Sequence, residues 1–152
     1  MSMEILTPMQ KVERVSRSVE PSTFVAAPGN WASLQADGSL INTVTSTPSK
    51  INKLVIGSAS NNMYESNDVE VGRIATLESF GARCKVDSTS FAGVINQGDL
   101  LVVSCDSGTE GKLVAFATVA ATGVYEYVAR CEQIDTTYLY FKTISPSFVT
   151  KS

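Results

Sequence analysis

After its first twenty residues the chain falls into short apolar runs separated by clusters of Gly, Asn, Asp and Ser. The spacing, roughly 8–12 residues from one turn signal to the next, is that of a sandwich or barrel. Residues 31–35 and 39–44 flank Asp37-Gly38, which predicts a hairpin with a type I′ turn, because Gly and Asp tolerate positive φ there. Residues 53–57 form a nearly continuous apolar run, suited to a strand buried on both faces. Further strands are expected at 70–77, 82–86, 100–104, 112–117, 125–131 and 138–144, the last rich in aromatic and β-branched residues. Turn clusters at 96–99, 106–111 and 122–123 separate them. The polar stretch 58–68 reads as a long loop and a candidate contact. No helical period of useful length follows residue 20. The fold class expected is all-β, a compact antiparallel barrel or sandwich.

The first twenty residues follow another pattern. Thr7-Pro8-Met9-Gln10 has the form of a helix start, and Met9, Val12, Val15 and Val19 recur at near-helical spacing. Val15-Ser16-Arg17-Ser18-Val19 equally alternates like a strand, so helix and extended arm both remain open. Apolar content is too low for this segment to hold a fold alone. It is expected to be an arm (residues 1–20) on a β domain (residues 21–152), resting on another surface. Its removal is expected to spare the domain and weaken attachment.

Composition narrows the chemistry. At 152 residues, 43% hydrophobic and 18% charged, the chain has the balance of one globular domain. A net charge of -3 with scattered Lys and Arg argues against nucleic acid as partner. No apolar run approaches the roughly 18 residues that would span a bilayer, so no membrane partner is expected. The N-terminus lacks the basic start and apolar stretch of a secretory signal. Cys84, Cys105 and Cys131 each lie in an apolar segment and read as reduced core thiols of a cytoplasmically made protein. Histidine is absent, which removes the commonest general base and metal ligand. No enzyme activity, metal or cofactor is expected.

The remaining motifs read as structure. Gly108-Thr109-Glu110-Gly111-Lys112 has neither the spacing nor the following helix of a phosphate loop. Asp99, Asp106, Glu110, Glu132 and Asp135 match no calcium loop, and turns account for them. The single tryptophan, Trp31, fits core packing or an interface anchor. Arg14 and Arg17 could pair with acidic groups on a partner or simply be solvated. Candidate contacts are Met9, Val12, Arg14, Arg17, Trp31 and, in the polar loop, Tyr64.

Four segments, in order, resemble the capsid decoration (cement) proteins of tailed bacteriophages. They are Gly29-Asn30-Trp31-Ala32-Ser33-Leu34 with the Asp37-Gly38 hairpin; Gly72-Arg73-Ile74-Ala75-Thr76-Leu77-Glu78; Ile95-Asn96-Gln97-Gly98-Asp99-Leu100-Leu101-Val102-Val103; and Gly111-Lys112-Leu113 leading to Tyr127-Val128-Ala129-Arg130-Cys131-Glu132. The resemblance lies in arrangement and length over most of residues 24–145. It implies a β-tulip-like barrel, usually a homotrimer, on the capsid exterior at three-fold and quasi-three-fold junctions of the major capsid protein. It also implies no catalytic residues and a head-stabilising role. A tail, baseplate or glycan-binding virion module is the alternative, and a small carboxylate enzyme a more distant one.

Overall fold

The computed structural model describes residues 3–20, 22–44, 51–57 and 72–152. The described strands are β1 (Met3–Ile5), β2 (Arg14–Ser18), β3 (Trp31–Leu34), β4 (Leu40–Asn42), β5 (Asn52–Gly57), β6 (Arg73–Leu77), β7 (Arg83–Asp87), β8 (Leu100–Val103), β9 (Leu113–Ala115), β10 (Gly123–Ile134) and β11 (Tyr138–Lys151). They form two antiparallel sheets, in the orders β1-β7-β11-β10-β8-β9 and β2-β6-β5-β3-β4. The all-β expectation holds. The arrangement is a sandwich.

Strand alternation explains why the apolar runs are so dense. Trp31, Leu54, Leu77, Cys84, Val86, Leu101, Val103, Cys131, Leu139 and Phe141 share the main core, to which both sheets contribute. Their immediate neighbours point the other way, as period-2 geometry requires. Val102 joins a second cluster with Cys105, Val114, Val119 and Tyr125, against which Phe116 packs. Ala32, Leu40 and Val55 form a third, against which Val19, Phe24 and Ala26 pack. The run 53–57 is therefore buried on both faces in its middle, with Leu54 in one core and Val55 in another.

The Asp37-Gly38 hairpin joins β3 to β4, but its turn is not the two-residue type I′ form. The turn bond runs from Gly38 N to Gln35 O, so Ala36 and Asp37 are central and Gly38, at φ 88°, follows them. This is the three-residue loop pattern, in which the left-handed position falls on the glycine alone. Asp37 steadies the turn by accepting bonds from the Ser39 hydroxyl (2.6 Å) and amide (3.0 Å).

The N-terminal segment is extended, with one 3-10 turn at Met9–Lys11 where the helix start was read. β1 pairs with β7, and β2 pairs with β6, so the segment forms an edge strand of each sheet. A single turn suits the sequence. Its apolar positions alternate from residue 15 onward, and each strand finds a partner that a short isolated helix would lack. The surface on which this segment rests is the chain's own.

β11 runs beyond the expected end at residue 144, continuing through Pro146 to Lys151 against β10. Tyr127 pairs with Ser147 and Ala129 with Thr143, so residues 144–146 bulge opposite Val128 alone. Proline is tolerated at such a bulge, where no ladder hydrogen bond is required of it.

Candidate functional site

A cleft of about 170 Å³ opens between the two sheets. Trp31 and residues 51–53 contribute from one sheet, and Glu126, Val128, Thr143 and Ile144 from the other. The crossover from β6 to β7 closes one side with Glu78, Ser79 and Phe80, and Pro146 and Phe148 of β11 line another. Phe80 is 62% exposed and Phe148 59%, and Ile51 is exposed beside them. Such a group of large apolar side chains left in water around a concavity is a feature of binding surfaces.

Local structure fixes these side chains. Thr143 Oγ1 donates to Ser79 O (2.7 Å) and accepts from Ala82 N (3.0 Å), pinning the crossover to β11. Gly81, at φ 81°, turns the chain there and donates to Thr143 O. Phe80 is held at the turn tip and exposed.

Two carboxylates line the cleft, in different states. Glu78 lies 2.9 Å from Lys53 Nζ and 3.1 Å from the Arg17 guanidinium, and accepts a 2.7 Å bond from Thr76 Oγ1. Burial disfavours its charge, but the bonds from Lys53 and Thr76 and the two cations outweigh that and hold its pKa below the ordinary value. Glu126 is only 4% exposed. Its Oε1 accepts the Asn52 amide at 3.1 Å across the two sheets, while Oε2 accepts no hydrogen bond among the described residues. Burial raises its pKa, against the opposing pull of the Asn52 amide and the charge of Lys53.

The sequence-derived contact residues do not assemble here. Arg17 serves the interior of the fold, joining Glu78, Thr76 Oγ1 (3.2 Å) and Gly38 O (3.3 Å). Val12 packs against the main core. Arg14 is half-buried at the start of β2, and Met9 lies in the 3-10 turn. Trp31 is 4% exposed and packs on Phe141 with ring centroids 6.5 Å apart, the position of a core residue at the floor of the cleft. Tyr64 and the polar loop lie outside the described residues.

The turn carboxylates are occupied as turn residues. Asp106 accepts the amides of Ala120 (2.8 Å) and Ala121 (3.0 Å). Asp99 accepts Asn96 N, Glu110 accepts Gly108 N, and Asp135 accepts Thr137 N and Tyr138 N. Glu132 is the exception to the turn reading: it lies within strand β10, where it pairs with Arg83 at 3.0 Å. No cluster of metal-ligating side chains occurs among the described residues. All three cysteines are buried and unpaired.

Sequence reasoning missed Phe80, Phe148 and Glu126. Phe148 falls in Ser147-Phe148-Val149-Thr150, an alternating stretch hidden by Pro146, and Phe80 precedes a glycine at a turn. Glu126, between two tyrosines in an apolar strand, was a visible misfit.

Compared with known proteins, the chain matches no family model and no curated protein. The fold and the cleft stand on their own.

Proposed function

We propose that this chain is a non-enzymatic structural protein of a virion, which binds the outer surface of an assembled phage capsid and stabilises the head. In this reading it acts as a homotrimer at three-fold and quasi-three-fold junctions of the major capsid protein. The observation that carries protein binding is the cleft rimmed by exposed Phe80, Phe148 and Ile51. The carboxylates of Asp99, Asp106 and Glu132, by contrast, are tied to backbone amides at turns or, for Glu132 in β10, to an arginine. The ordered resemblance of the four segments supports the choice of capsid as partner. A stable contact would bury roughly 1,200–2,000 Å², and binding the assembled lattice in preference to its parts stabilises it by mass action. Several modest contacts made at once would act together through effective concentration.

The test is light scattering of the purified protein, followed by co-sedimentation with heads stripped of it. A trimer that rebinds heads and ignores unassembled capsid protein supports the proposal. A monomer that ignores heads refutes it. The second reading, a glycan-binding virion module, is favoured by the exposed Phe80 and Phe148 beside buried Glu126, since aromatic faces and carboxylates are what a sugar contacts. Saturable binding in a sugar screen, without head binding, would select it.

A further inference from the structure

We propose that the β11 edge at residues 147–151, with the cleft beside it, docks an extended segment of a partner protein carrying a Lys or Arg between apolar residues. This rests on the reading that the chain works by binding protein surfaces, and it names the chemistry of what is bound.

The backbone supplies the first argument. β7 pairs with β11 only from Tyr138 to Lys142, and bonds of Gly81 N to Thr143 O and Thr143 N to Ala82 O close that ladder. Beyond Thr143, β7's chain turns away into the crossover while β11 continues with β10 to Lys151. Among the described residues, positions 145–151 make no backbone bond on the side away from β10. An exposed edge of this kind accepts an added strand. Of the other sheet margins, β1, β4 and β9 are three-residue strands, and Asn42 of β4 bonds Val25 N and Thr23 O of a covering loop. The remaining margin, β2, is a five-residue edge that contributes no residue to the cleft. Pro146 and Lys151 bracket the β11 edge, which limits indiscriminate pairing while leaving a short window.

The side chains supply the second argument. An added strand alternates its side chains, so one row would overhang the cleft that Ile144, Pro146 and Phe148 line. The cleft's volume, about 170 Å³, suits one long side chain. Ile51, Val128, Ile144, Pro146 and the Phe80 and Phe148 rings give it apolar wall, which favours an aliphatic stem. Its polar lining holds Lys53 against two carboxylates, Glu78 and Glu126. Glu78 already holds Lys53 and Arg17, whereas Glu126 has no ion pair among the described residues and a free Oε2. Charge complementarity therefore selects a basic tip. Phe80 and Phe148 can flank the same cation.

Trp31, the single tryptophan, lines the cleft and reports its occupancy. The probe is a capped heptapeptide of alternating Thr and Val with a central Arg, titrated into the full chain by Trp fluorescence and calorimetry. The same peptide with a central Glu is the control. The expected result is saturable binding of the Arg peptide, at least about tenfold tighter than the Glu peptide. Glu126→Gln keeps the acceptor for Asn52 N–H and should lose most of that preference with the unfolding midpoint preserved. Phe148→Ser should weaken both peptides. Equal affinity for the two peptides, or no binding of either up to about 1 mM, overturns the proposal. If the Arg peptide does not bind while wild type and Glu126→Gln sediment alike with heads, the docking site falls and the capsid reading stands. If the peptide preference holds and heads are ignored, the docking site stands and the capsid reading falls.

Discussion

Gly111 joins the two sheets at a point where no side chain fits. Its φ is 78°, and a Cβ built there would lie 2.8 Å from Trp31 O and 3.7 Å from Trp31 N. The Trp31 amide donates to Gly111 O at 2.8 Å, so the two backbones cannot separate without losing that bond. Gly111→Ala should therefore carry two costs. The left-handed backbone costs an L-residue about 1–2 kcal/mol. The backbone clash, which no flexible side chain can relieve, adds about 1–3 kcal/mol of overpacking strain. The sum is about 2–5 kcal/mol, a large share of a domain's net stability. Gly108→Ala separates the two terms: its φ is 92° and nothing lies within 4 Å of the added methyl, so only the first cost applies. Urea unfolding followed by Trp31 emission reads both variants, and the buried indole at the contact is a direct reporter. Equal losses for Gly111→Ala and Gly108→Ala, within about 0.5 kcal/mol, would refute the close approach of the two sheets.

Three further outcomes follow from the same geometry. Removing the first twenty residues should lower the unfolding midpoint by the equivalent of at least one large core truncation, about 2–5 kcal/mol, because β1, β2 and the Arg17–Glu78 pair leave together; an unchanged midpoint would restore the dispensable arm. Burial pushes the Cys84 thiol up to about 12, and all three cysteines are buried, so a thiol reagent at pH 8 should label them only as fast as the protein unfolds; rapid labelling in native buffer would contradict the packing. Glu78 and Glu126 should show opposite pH signatures in urea titrations of their Gln variants. The depressed Glu78 contributes stability above the unfolded value of about 4.3, lost as pH falls through its folded pKa, so Glu78→Gln is destabilising at pH 7 and converges on wild type in acid. The raised Glu126 lowers stability as pH climbs from about 4.3 through its folded pKa, so Glu126→Gln should be neutral or stabilising at pH 7; matching profiles for the two variants would overturn the assignment.

The strands were readable because each apolar run is bounded by residues that turn. Residues 53–57 were placed as a doubly buried strand since both Leu54 and Val55 needed cover, and the third core supplies it. The hairpin at Asp37-Gly38 was readable, but its turn type was not, because one residue more or less in the loop is decided by the pairing of Leu34 with Leu40. The N-terminal segment was ambiguous locally: Thr7-Pro8 favours a helix start and Val15-Ser16-Arg17 a strand. Tertiary partners decided it, since β6 and β7 each had an open edge to fill. Arg17 looked like a surface charge and proved to be half of a partly buried pair, because its acceptor, Glu78, lies 61 positions away. The cleft was illegible for the same reason. Ile51, Phe80, Glu126 and Phe148 meet only once two sheets are stacked.

That meeting has a structural cause. A strand that crosses between stacked sheets must leave its partner, and the chain does so between Leu77 of β6 and Arg83 of β7. Had β7 extended back to Ser79 along β11, it would have covered the β11 edge and filled the cleft. Instead Gly81 turns the backbone at Thr143, just where residues 144–146 of β11 bulge against Val128. The bulge breaks the alternation on the strand beyond it, and a bulge at that position re-aims the side chains that follow. Phe148, opposite Glu126 in register, is thus set at the cleft mouth and not in the core. Deleting Ser145 and Pro146 leaves Ile144 alone opposite Val128, so residues 147–151 keep their register with β10 while the bulge that aims Phe148 at the cleft is removed. Head binding and peptide binding should fall while the midpoint changes little. Retention of both activities would show that the cleft mouth, as built by this bulge, is not what partners meet.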